Sequence, residues 1–223
     1  ERHGVGEQQA QLAVVEQARH QGLEVRLVSS RLRGGSASRN FFRLMMAADC
    51  TGYDFVALAD QDDIWSPDKL ARAVQMLRSG DAVGYSGAVE AFWPDGRRHV
   101  LAQSSQLRKG DFLFEGAGQG CTFVLRHSWF QELASLLRVH APLIEAVHYH
   151  DWTLYALSRM KGGAWVFDAW PSIRYRQHGE NDTGARGSLA GIQRRLALIR
   201  SGWYGQQIGA MTTLCAAISS TQT

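Results

Sequence analysis

The chain has 223 residues and a formal net charge of +3. That is enough length to bury one α/β core, and too weak a positive bias to argue for nucleic acid, so no nucleic-acid partner is expected. Its three cysteines, Cys50, Cys121 and Cys215, form no C-x-x-C pair. This argues against a zinc cluster and makes reduced, cytosolic thiols the expectation.

No apolar run approaches the roughly eighteen residues that span a bilayer, and no signal-peptide pattern opens the sequence. It starts at Glu1 without an initiator Met and is expected to be an excised fragment. Residues 7–20 read as a helix stopped at Gly22, and Leu23–Val28 alternates like a strand. Gly34-Gly35-Ser36 breaks that pattern, after which Ser36 or Ser38 can cap a helix running to about Ala48. Phe55–Ala59 is a short apolar run suited to a strand buried on both faces. It ends in Asp60-Gln61-Asp62-Asp63. Ser66 and Pro67 are placed as N-cap and first turn of the next helix.

Residues 82–89 predict another strand, and Trp93-Pro94-Asp95-Gly96 a turn. A glycine-rich loop follows (Gly116, Gly118, Gly120), leading into Cys121–Leu125. Residues 127–138 and 150–160 read as helices, and 164–167 and 172–175 as separate strands. The last helix, from about Ser188, carries Leu189, Ile192, Leu196, Ile199 and Trp203 on one apolar stripe. Strands alternating with helices in the first half predict an α/β, mainly parallel sheet flanked by helices.

Ligands of open α/β sheets bind beyond the carboxyl ends of strands, and the acidic run sits at such an end. Three carboxylates within four residues repel one another. A hard divalent cation removes that cost, and two carboxylates plus a substrate diphosphate are a usual way to hold Mg2+ or Mn2+. The bland alternative is a solvated acidic turn capping the next helix. The preceding apolar strand and the following Trp65–Leu70 favour the metal.

Ala59–Leu70 resembles the D-Q-D-D-x-W-x-x-x-K-[LI] segment of bacterial family 2 glycosyltransferases, especially their rhamnosyltransferase-like branch. Three further stretches resemble the family in order. They are Ser38-Arg39-Asn40-Phe41-Phe42, Gly120-Cys121-Thr122-Phe123, and Tyr175-Arg176-Gln177-His178-Gly179-Glu180-Asn181. The resemblance implies a GT-A (Rossmann-like) fold over residues 1–185, with an amphipathic helical extension over 186–223. It implies a nucleoside-diphosphate sugar donor, a glycan or lipid-linked saccharide acceptor, and inversion at the anomeric carbon. Asp60 and Asp62 are then the metal ligands, with His178 either completing the metal shell or donating to the leaving diphosphate. Asp63, Trp65, Arg176 and Gln177 are expected around the diphosphate. Gly118, Gly120, Cys121 and Thr122 form the loop beside donor sugar and acceptor.

Inversion needs a base for the acceptor hydroxyl's proton. The resemblance places it at Asp151, which could equally only cap its helix; Glu145 is the competing carboxylate. His148 and His150 are read as structural rather than as metal ligands. Family members open with a strand, a helix and a second strand ending in an acidic turn, so the resemblance implies that about 30 residues, one βαβ unit, are missing before Glu1.

Two rival readings stand beside this one. A haloacid-dehalogenase-like phosphatase would use Asp60 as nucleophile and Asp62 as acid/base, but it lacks the later strand ending in paired acids. The other is a non-catalytic nucleotide-sugar-binding subunit. The stripe of the last helix packs on protein, in this chain or a second copy in a homo-oligomer, or lies on the inner face of the plasma membrane with Arg195 and Arg200 flanking it.

Overall fold

The computed structural model describes residues 15–26, 28, 36–102, 107–177 and 189–220; within 189–200 it describes side chains only at 193 and 196–200. By its own contacts the chain divides into residues 1–34 and 35–223, whereas the sequence suggested a boundary at 185/186. In the smaller unit residues 15–20 are helical. Gly22 stops that helix as expected, with φ +79°. The expected strand over Leu23–Val28 is not formed at 23–26 or 28.

The larger unit opens with α1 (Ala37–Ala47), begun by Ser36, whose hydroxyl accepts the Arg39 N–H. Its buried face is Phe41, Phe42 and Met45. The chain continues through β1 (Phe55–Ala57), β2 (Ile64–Trp65), α2 (Lys69–Arg78), β3 (Gly84–Phe92) and β4 (Arg98–Leu101). Next come β5 (Val124–Arg126), α3 (His127–Val139), α4 (Ala141–Ile144), α5 (His150–Met160) and β6 (Trp165–Arg176). Two helices follow, α6 (Leu189–Arg200) and α7 (Trp203–Ser220). Helix α2 starts later than expected: the Ser66 N–H donates to the Ser172 carbonyl at 3.0 Å, so Ser66 stays with the sheet and Asp68 takes the N-cap position.

The six strands form one sheet ordered β1-β5-β3-β6-β2, with β4 hairpinned onto β3. The α/β class is as expected, but the sheet is mixed rather than mainly parallel. Only β3 and β6 pair in parallel, and the other pairings are antiparallel. β1, β3 and β6 do run the same way, as an alternating pattern demands. β5 inserts between β1 and β3 in the opposite direction, and β2 closes the far edge. The two expected strands at 164–167 and 172–175 are one. Trp170 and Pro171 sit at a register shift opposite Gly87 and Ala88, a place where a sheet accepts proline.

Successive residues of a strand face opposite sides, and β5 shows the three layers. Phe123 and Leu125 join the core shared by α1, α3, α5 and α7. Val124 faces the other side, with Tyr85 and the Ala73 and Leu77 of α2. The expected single C-terminal helix is broken at Gly202, φ +73°. Trp203 therefore leaves the predicted stripe and starts α7, which buries Met211, Leu214, Cys215 and Ile218 in the main core. No helix among the described residues is long and apolar enough to cross a membrane.

Candidate functional site

The acidic turn is anchored at both ends. On one side the Leu58 N–H donates to the Phe123 carbonyl at 3.0 Å. On the other, Ile64 and Trp65 pair with Arg174 and Ile173 of β6. The tight turn Gly120–Thr122 lies beside it, so that the Asp60 and Asp63 carboxylates and the Cys121 thiol present atoms within 4.8 Å of one another. The thiol is within reach of both carboxylates, and its single proton can serve one of them at a time. Burial, then the two carboxylates, push the thiol's pKa well up, so it stays protonated as a donor.

Burial raises the pKa of Asp60, and raises that of Asp63 to about 6. Asp63 Oδ1 accepts the Arg176 N–H at 3.3 Å. Its Oδ2 is buried with no hydrogen-bond partner among the described residues. Crowded, half-desolvated carboxylates with an unused oxygen fit a hard divalent cation, whose charge would reverse those shifts. A protonated thiol is a poor ligand for such an ion.

Asp151 lies in the first turn of α5, partly buried. Its Oδ1 accepts the Trp152 N–H at 2.7 Å, and the Gly120 N–H also donates to its carboxylate. Burial lifts its pKa to about 6. The two readings of Asp151 are therefore compatible: it satisfies a first-turn amide and still presents a carboxylate to the loop. Glu145, exposed at the end of α4, has no such setting. Gly120 is required sterically, because a Cβ there would stand 2.4 Å from His150 Nε2 and 3.2 Å from Asp151 Cβ. Gly118 holds φ +104°, open only to glycine without strain.

Other expected residues are placed differently. The Thr122 hydroxyl donates to the Gln119 carbonyl at 2.8 Å and is buried. Trp65 carries the Lys69 ammonium over its ring. The Arg176 guanidinium donates to the Asp62 carbonyl at 3.2 Å and lies 4.9 Å from the Phe92 ring centroid. It shares that ring with Arg174. Gln177 is buried, its N–H donating to the Phe92 carbonyl. Asp62 is half-buried in the turn. His178 lies outside the described residues.

Three residues at the site escaped the sequence reading. The Lys69 ammonium is fully buried, and burial lowers its pKa to about 8. Tyr175 has its hydroxyl pKa pushed up by burial and by Cys121, Asp63 and Asp60, which places it against the acidic cluster. His150, read as merely structural, is buried with Asp60 as the charge its imidazole feels. The signal for Lys69 was its spacing of four from Ala73 and Leu77, the buried stripe of α2. That for His150 was its adjacency to Asp151.

A sequence profile described as glycosyltransferase-like family 2 matches residues 4–119, a little over half of the chain. The chain is also similar to a Shigella flexneri protein named dTDP-rhamnosyl transferase RfbG, with 33% identity over 184 residues. That similarity covers 82% of this chain and 64% of the relative, so the chain spans somewhat under two-thirds of the relative's length.

Proposed function

This chain belongs to glycosyltransferase-like family 2, and on that premise we propose that it is the greater part of an inverting glycosyltransferase. It moves a sugar from a nucleoside-diphosphate donor to a hydroxyl of a glycan or lipid-linked saccharide. The name of the relative makes a dTDP-linked rhamnose the first donor to test. The observation that carries this reading is the gathering of Asp60 and Asp63 around the Gly120–Thr122 turn, with Asp151 beside Gly120.

Asp60, Asp62 and Asp63 are the residues that would hold Mn2+ or Mg2+, with His178 as a further candidate ligand. When bound, the ion would neutralise charge on the diphosphate as it leaves. Asp151 takes the acceptor hydroxyl's proton while the acceptor oxygen bonds to the anomeric carbon. The bond from that carbon to the diphosphate oxygen breaks, and the nucleoside diphosphate departs. A base with a pKa near 6 is mostly ionised at neutral pH yet basic enough to accept that proton. The cradle of Gly120 and Trp152 amides fixes its direction.

Leu196 and Ile199, 45% and 60% exposed on α6, would serve to meet a membrane carrying a lipid-linked acceptor. Sedimentation with anionic vesicles tests that contact. The phosphatase reading has nothing here to favour it, since the chain's family is a different one.

The deciding experiment is calorimetric titration of dTDP and dTDP-rhamnose with Mn2+, with Mg2+ and with EDTA, followed by a transfer assay on the full-length protein. Metal-dependent binding and release of dTDP are expected. Absence of nucleotide binding under every metal condition would overturn the proposal.

A further inference from the structure

The residues just before Asp151 belong to an aromatic wall that no step above uses. The rings of His148 and Tyr149 meet edge-on, centroids 4.6 Å apart. Trp203, the first residue of α7, stands edge-on to both, at 5.4 and 5.7 Å. Tyr204 extends the row, 5.0 Å from Trp203 and 36% exposed. The other three rings are half-buried. The His148 N–H donates to Gln207 Oε1 at 2.8 Å, so the wall is braced between α7 and the segment that opens α5.

Mutual packing accounts for the inner sides of these rings and leaves their outer sides in water. The indole N–H groups of Trp129, Trp152 and Trp165 donate to the Ser158 hydroxyl, the Phe112 carbonyl and the Ser86 hydroxyl. Among the described residues that of Trp203 is neither buried nor bonded, and the same holds for the Tyr204 hydroxyl. The wall therefore offers solvent apolar ring surface together with hydrogen-bonding groups, the combination that suits rings to binding surfaces.

Its charge selects the partner. Over Trp203–Ser220 helix α7 has no charged side chain, and the wall holds no lysine or arginine. An anionic bilayer or a phosphate would call for such cations. A pyranose ring is neutral, with C–H groups that can lie on an aromatic ring and hydroxyls that can meet its polar edge. The position selects which sugar. After burial and the amides that cradle it, His148 is among the groups that act on the Asp151 carboxylate, so wall and carboxylate are neighbours. The substrate that must bring a hydroxyl to Asp151 is the acceptor.

We propose that His148, Tyr149, Trp203 and Tyr204 form the acceptor subsite, with a pyranose ring of the acceptor saccharide resting on Trp203. This rests on the glycosyltransferase reading above, with Asp151 as its base.

The test uses the full-length protein with Mn2+ and dTDP, labelled with 15N at its tryptophan indoles. The probes are the methyl glycosides of rhamnose, glucose, galactose and N-acetylglucosamine, and phosphatidylglycerol vesicles. The Trp203 signal is the one absent from Trp203→Phe. At least one glycoside is expected to shift it, while the internally bonded N–H groups of Trp129 and Trp165 stay in place. Trp203→Ala should weaken that glycoside on the order of tenfold and Tyr204→Ala about threefold, with dTDP affinity held within about twofold in both. Trp203→Phe, which keeps an aromatic surface, should retain most of the glycoside affinity.

The proposal is overturned if no glycoside shifts Trp203, or if only dTDP-rhamnose does, which would make the wall part of the donor site. A shift by vesicles alone would make it a bilayer contact and overturn the proposal equally, as would parallel losses of glycoside and dTDP in the two alanine variants. If Trp203→Ala fails to fold, the wild-type spectrum and Tyr204→Ala still decide. If wild type binds no dTDP, the donor reading has failed, and the glycoside titration reports on the wall separately.

Discussion

The Lys69 ammonium lies 3.4 Å from the centroid of the Trp65 ring, fully buried. Aromatic faces attract a desolvated ammonium, yet Nζ has no hydrogen-bond acceptor among the described residues. Burial is the main cause of its lowered pKa, about 8 against an ordinary 10.5, with Cys121 and Asp63 opposing. Because the folded value lies below the unfolded one, the unfolded chain holds more protons between those limits. Stability from this group is therefore least below pH 8 and rises as pH climbs toward 10.5. Lys69→Met should remove that rise. Urea melts of both proteins from pH 7 to 10 check it, and parallel curves would refute the buried-charge account.

The acidic turn makes an opposite pH statement. The Asp63 pKa, about 6, exceeds its unfolded value, so the stability it contributes is complete below about pH 4 and lost as pH rises through 6. In metal-free buffer, Asp63→Asn is expected to raise Tm at pH 7.5 and change little at pH 4. Asp60→Asn and Asp62→Asn should each remove Mn2+-dependent dTDP binding, read by calorimetry. Unchanged affinity in the Asp62 variant would leave the metal to Asp60 and Asp63, whose Oδ2 has no hydrogen-bond partner among the described residues.

Much of this site was legible in the sequence because it is local: the acidic run, the glycine turn and the first-turn Asp151 each lie in a short segment with a steric or electrostatic reason. What was not legible depended on distant partners. Val124–Arg126 is only three residues long, and nothing within it announces that it inserts antiparallel between β1 and β3. Arg176 read as a phosphate ligand by residue type, but its chemistry is shared with the Phe92 ring and the Asp62 carbonyl. Residues 203–220 were expected within a helical extension, but the buried face of α7 was not read, because small and polar residues dilute its buried positions, Met211, Leu214, Cys215 and Ile218. Those positions follow helical spacing only once Gly202 is recognised as a break.

If Asp151 is the base, its protonation sets the acid limb of transfer. With a pKa raised to about 6 by burial, kcat/KM for the acceptor should fall about tenfold per unit below pH 6. Asp151→Asn should lower kcat by about 10²- to 10⁴-fold while sparing dTDP binding. Asp63 titrates in the same range, so Asp63→Asn is the control. Its activity can drop, but the acid limb should keep its shape. Loss of the limb in that variant would transfer it from Asp151 to the metal site.

The segment leading into Asp151 is held from the C-terminus. The His148 N–H donates to Gln207 Oε1 at 2.8 Å, and Gln207 Nε2 reaches the Ala146 carbonyl at 3.4 Å. Trp203 packs edge-on to His148 and Tyr149, centroids 5.4 and 5.7 Å apart. The first turns of α7 thus position the residues immediately before His150 and Asp151. Losing these two neutral hydrogen bonds, the second of them long, costs about 1–2 kcal/mol of stability. A small shift of a general base costs rate out of proportion to that. Gln207→Ala should therefore leave dTDP affinity unchanged, lower Tm slightly and reduce kcat about tenfold. Thr213→Ala, an exposed position on the same helix, supplies the comparison. If the two variants lose activity equally, or if Gln207→Ala raises only the KM for donor, α7 does not position Asp151 and serves the core alone.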